Sequence, residues 1–169
     1  MNNFKKAGFL MLILIMTLTI FTACSTPAAT PVPEPEKTTT TSGIGYTDGV
    51  YTAQEATFDA TTGWKDNATV TIAGGKISSV VLNGTNKDTT LGDKLSAVKA
   101  GKYDIVASGE KSPWDVQAKA IEDKIVSSQD TTSMSFDADG KSDAIPEATM
   151  SYGHYYDLVN EALAKAKTK

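Results

Sequence analysis

The stretch D-A-I-P-E-A-T-M-S, Asp143 to Ser151, sets a small residue and a threonine at the doorway of an amphipathic tail. A threonine in that place suits an anion, because the unpaired backbone N–H groups of a helix start and the positive end of its dipole both favour negative charge. Glu147 opposes this. A carboxylate beside a phosphate is repelled by about 1 kcal/mol at 4 Å in water, and by more where screening is weaker. Pro146 stiffens the approach by holding Ile145 extended. Thr149 or Ser151 acting as an ordinary helix cap is the simpler use of the same residues, as is Asp143 bonding nearby amides in a turn.

Other reactive residue types are sparse. His154 is the single histidine and Cys24 the single cysteine, so neither a metal set nor a Cys/His nucleophile pair is expected, and His154 reads as a helix surface residue. D-A-D-G-K-S-D, Asp137 to Asp143, repeats carboxylates as a calcium loop does, but it lacks the downstream glutamate and follows M-S-F, which looks like a strand. A strand-ending turn is the better reading, with no metal. The chain has no G-x-S-x-G, P-loop or dinucleotide fingerprint, so an enzyme in its own right is not expected. All 16 basic residues are lysines, scattered along the chain, which leaves no guanidinium fork and no basic stripe for nucleic acid.

The elements that must position these residues follow from pattern. Residues 1–23 read as a lipoprotein signal peptide: Lys5 and Lys6, an apolar run, then F-T-A-C with Cys24 as the lipidated residue. Cleavage there leaves 169 − 23 = 146 residues and shifts the formal charge from −4 to −6. The expected location is the extracytoplasmic face of the cell membrane, with lipid on Cys24 as the contact. Residues 24–45 are a Pro/Thr-rich tether, and residues 46–169 form one domain.

Within that domain Asp48 to Asn83 alternates like strands, with a hairpin turning at Ala73-Gly74-Gly75. Ala68, Val70 and Ile72 should share one face with Ile77, Val80 and Leu82 of the partner. Ser112-Pro113-Trp114-Asp115 predicts a helix with a serine cap, packed through Trp114, Ala118, Ile121 and Ile125. A second helix is expected from about Ser151 to Ala166, with Tyr152, Tyr156, Val159 and Leu163 inward and Tyr155 off that stripe, free to stack on a flat ligand. The fold class is therefore α+β, a twisted antiparallel sheet covered by two helices.

The order D-G-x-Y-T (Asp48 to Thr52), G-G-K-I-x-S-V (Gly74 to Val80), W-x-x-Q (Trp114 to Gln117) and D-A-x-x-x-A-T-x-S before Y-Y-D-L-V-N-E-A-L resembles the FMN-binding domain family, in its membrane-anchored lipoprotein (major membrane immunogen) branch. Members carry FMN on a threonine by a phosphoester within D-x-x-[S/T/A]-G-A-T-[S/T]. The resemblance implies Asp143 as the leading aspartate, Ala148 as the alanine and Thr149 as the FMN-bearing residue. Ser151 and Tyr155 stand nearby as further contacts. Glu147 occupies the glycine position, Pro146 the small-residue position and Met150 the place after the threonine. Implied with it are a flavin transferase, a membrane electron donor and a flavin carrier in extracytoplasmic electron transfer. The altered loop supports the other reading, a non-redox ligand-binding or interaction lipoprotein that kept the fold and lost covalent FMN.

Overall fold

Side-chain alternation builds the sheet. The computed structural model describes residues 45–167, so the signal segment, Cys24 and the tether before Gly45 lie outside the described residues. Strands β1 (Gly49–Gln54), β2 (Trp64–Ala73) and β3 (Lys76–Asn86) form an antiparallel sheet in the order β1-β2-β3. Along β2 every second residue from Trp64 to Ile72 is buried, while Lys65, Asn67, Thr69 and Thr71 between them are half-buried on the other face. The sheet is therefore packed on one side only.

Ile77, Val80 and Leu82 are all buried as expected, although they do not share one parity. A bulge reconciles them: Ile72 pairs with Ile77 but Thr71 pairs with Ser79, leaving Ser78 as the extra residue that shifts the phase. The turn between β2 and β3 has Gly74 and Gly75 at φ 60° and 70°, the left-handed pair that a two-residue hairpin requires. Asp48 clamps it, accepting from the N–H groups of Gly74 at 3.0 Å and Gly75 at 2.8 Å. That gives the aspartate of D-G-x-Y-T a structural task.

Three helices cover the sheet. Helix α2 (Trp114–Ser128) packs on β3, and α3 (Gly153–Ala166) packs on β1 and β2. The third, α1 (Lys94–Lys99), has no counterpart in the sequence-based expectation. Ala68, Val70, Leu82, Ile121, Ile125, Val159 and Leu163 form the centre of the core. Among the described residues no helix is long and apolar enough to cross a membrane.

Two expectations of detail are corrected. The cap of α2 is Pro113, with no side-chain hydrogen bond from Ser112, whose carbonyl instead accepts from the Gln117 amide at 2.8 Å. M-S-F does not join the ladder. It lies outside any strand, and its Phe136 ring packs 5.3 Å from both Tyr152 and Tyr156.

The two ends of the described chain meet. Tyr46 bridges Lys167, and the Thr47 N–H donates to the carbonyl of Ala166 at 2.8 Å.

Candidate ligand-binding site

Asp66 lies on the buried face of β2, where the alternation that buries Ala68 and Val70 carries a carboxylate into the core. Space for it comes from the cross-strand partner Gly84, where an added Cβ would stand 2.4 Å from Asp66 Oδ1. Lys94 is the first residue of α1, fixed by Asp93, which accepts from the Ser96 N–H at 3.1 Å and its hydroxyl at 2.6 Å. His154 and Tyr155 come from the first turn of α3.

These groups converge on one carboxylate. Lys94 Nζ donates to Asp66 Oδ1 at 2.5 Å and to the Tyr155 hydroxyl at 3.1 Å. That hydroxyl in turn donates to Asp66 Oδ2 at 2.7 Å, and His154 Nε2 lies 3.1 Å from the same oxygen. Burial alone would raise the Asp66 carboxyl, but the His154 contact, the Lys94 charge and the Tyr155 hydroxyl together bring it below its ordinary value. Burial depresses the Lys94 ammonium, and the neighbouring carboxylates offset only part of this. Tyr155 is pushed well up by burial and by the Asp66 charge, and Tyr103 to about 12 by the same two causes.

Around the cluster is a cavity of about 540 Å³ walled by Trp64, Tyr103 and Trp114, within the usual range for small-molecule sites. Lys94 Nζ lies 5.3 Å from the Trp64 and Trp114 ring centroids and 5.5 Å from that of Tyr103. The sequence reading passed over Asp66 and Lys94. A charged residue breaking the apolar parity of β2, and D-K-L-S-A-V-K before Ala100-Gly101, were the available signals.

The residues singled out from sequence are divided between two places. Asp143, Ala148 and Thr149 line a second cavity of about 320 Å³ together with Lys111 and Lys141. Glu147 is exposed and is not part of that lining. Ser151 lines the aromatic cavity instead. Tyr155, expected off the packed stripe, is 1% exposed, with the His154 ring tilted against it at 4.0 Å and Trp114 at 6.2 Å. Tyr155 is enclosed between Asp66 of β2 and Trp114 at the start of α2, which puts that side of the first turn of α3 inside, while His154 is half-buried. His154 belongs to the cluster and is not a plain surface residue.

Thr149 does not stand at a helix start. Helix α3 begins at Gly153 with Tyr152 at its cap and no side-chain capping bond, so neither Thr149 nor Ser151 fills that role. Gly140 O accepts from the N–H groups of Tyr152 at 2.8 Å and Gly153 at 3.0 Å. The D-A-D-G-K-S-D turn therefore plugs the helix N-terminus. Asp137 closes that turn by accepting from the Asp139 and Lys141 amides, and among the described residues no acidic, histidine or cysteine group is arranged to hold a metal.

Gln117, fully buried on α2, accepts from the N–H groups of Thr149 at 2.7 Å and Met150 at 2.8 Å. The Thr149 hydroxyl donates to Glu110 Oε2 at 2.6 Å, and Lys141 Nζ holds both Glu110 Oε1 at 3.3 Å and the Thr149 carbonyl at 2.8 Å. The Asp143 carboxylate is exposed and bonds no nearby amide among the described residues.

The solution structure of a protein from Clostridium thermocellum is similar to this chain, with 37% identity, 72% of this chain and 92% of that one covered, and a TM-score of 0.56. A crystal structure of a Clostridium perfringens protein shares the fold at 21% identity, covering 70% of this chain and 87% of that one, with a TM-score of 0.51. No family model and no curated protein matches the chain.

Proposed function

The chain belongs to the family of the Clostridium thermocellum protein, and from that premise we propose that it is a lipid-anchored, extracytoplasmic binding protein with a domain of the FMN-binding type. In this reading it no longer carries flavin covalently and holds its ligand in the aromatic cavity. The observation that supports it most is the Thr149 hydroxyl donating to Glu110 at 2.6 Å. A phosphoester there would put a phosphate against that carboxylate. It would also find the amides of Thr149 and Met150 already bonded to Gln117, and those of Tyr152 and Gly153 to Gly140. An anion nest depends on unpaired N–H groups, so the residues present do not fit the phosphate half of FMN.

Intact mass of the protein from a host that has a flavin transferase is the test. No increment of one FMN is expected on the native chain. Replacing Glu110→Ala together with Pro146→Ser and Glu147→Gly should allow the increment, and Thr149→Val should then remove it.

The carrier reading, with FMN on Thr149 and electrons accepted from a membrane donor, is favoured by one observation. Lys111 and Lys141 line the cavity beside Thr149, where they would meet an anion. A native mass higher by one FMN would establish that reading in place of the first.

A further inference from the structure

The carboxylates of the aromatic cavity outnumber its cations. Glu55, Asp59, Asp66 and Glu110 line it against one ammonium, that of Lys94. Two of the four already have a lysine in contact: Asp66 has Lys94, and Glu110 has Lys141 from outside the wall. Among the described residues the other two contact neutral donors only. Glu55 accepts the N–H of Asp66 at 2.9 Å, and Asp59 accepts the amides of Thr61 and Thr62 and the Thr62 hydroxyl. Lys87 acts on Asp59 through space without a bond. Glu55 and Asp59 both bear on Lys94 along with Asp66, so one ammonium sits in the field of three carboxylates.

The walls have the matching chemistry. Trp64, Tyr103 and Trp114 already have an ammonium between 5.3 and 5.5 Å from their ring centroids, and aromatic rings attract positive charge there through their quadrupoles. A ligand with a positive head and an apolar body would engage the carboxylates through its charge and the rings, Ile105 and Met150 through its body. A phosphate would meet Glu55, Asp59 and Glu110.

Building on the binding-protein reading, we propose that this cavity takes an organic cation, an amine or quaternary ammonium carrying an apolar or aromatic group. Trp64 and Trp114 are the two tryptophans of the chain and both line the cavity, so their emission reports this site. The full chain, held in a nonionic detergent, is titrated with benzyltrimethylammonium, with its uncharged carbon isostere neopentylbenzene, and with FMN. Saturable emission change is expected with the cation, at least tenfold tighter than with the isostere, and weakening as salt is raised.

Glu55→Gln with Asp59→Asn should weaken the cation at least tenfold and leave the isostere unchanged. If that variant fails to fold, the cation-to-isostere ratio on the native chain decides alone. Equal affinity for cation and isostere, or saturation by FMN without the cation, overturns the proposal and leaves the binding-protein reading standing. Absence of response to all three probes overturns the proposal, while the intact-mass measurement decides the binding-protein reading separately.

Discussion

At Asp66 an ammonium, a phenol and an imidazole all meet one carboxylate inside the core. Such a cluster costs more to break than it contributes to stability, because removing one partner leaves the other charge buried and unpaired. Asp66→Asn is therefore expected to destabilise the domain by about 3–5 kcal/mol in urea unfolding, while Asp66→Asn combined with Lys94→Met should recover most of that loss. The acid limb follows from the depressed carboxyl of Asp66. A carboxyl held lower in the folded state stabilises fully above its unfolded value near 3.9, and this is lost as pH falls through its folded value. Unfolding curves taken from about pH 5 downwards should show wild type losing stability that Asp66→Asn no longer has to lose. At the Thr149 loop the charge that governs is Glu110 and not Glu147, which points to solvent.

Elements position these residues through a few polar anchors. Gln117 ties α2 to the loop before α3 by accepting two amides with one buried oxygen. Gln117→Leu keeps the bulk and strands those donors, so a loss of about 2–3 kcal/mol is expected in thermal or urea unfolding. The cap of α1 sets where Lys94 stands, and Asp93→Ala should cost about 1 kcal/mol. Asp93 is held at about 2 by the Ser96 hydroxyl and amide and by Asn83. Its contribution is therefore complete above the ordinary value and fades as pH drops from about 4 towards 2, which a titration of α1 stability by NMR can follow.

The β2–β3 hairpin and the two long helices were legible because period-two and helical stripes extend over ten or more residues. Helix α1 was not, since six residues carry too little periodicity beside a polar loop. The Ser112 cap was misread because S-P-W-D resembles a capping box in its spacing, whereas the helix starts one residue later, at Trp114, and leaves the serine hydroxyl outside. The candidate site was legible only in part. Asp143, Ala148 and Thr149 do share a cavity, but the bonds that satisfy their loop come from Gly140, Glu110 and Gln117, each distant in sequence or in another element. No local pattern encodes such closure.

On the scale of the whole domain, the core closes within residues 46–166, and the ends are clasped to each other. A fragment of residues 45–167 is expected to unfold in one cooperative transition at the same midpoint as the full chain, as read by circular dichroism. The clasp has a mechanical side. Tyr46 and Thr47 lie beside the last turn of α3, whereas the Asp66 cluster lies at the other end of the same elements, roughly 20 Å away by six strand residues or eleven helical ones. The clasped ends mark one pole of the domain and the cavity lies at the other. Under the proposed lipid anchoring, a pull on Tyr46 would divide between the first strand and the end of α3, and the aromatic cavity would stay off that line.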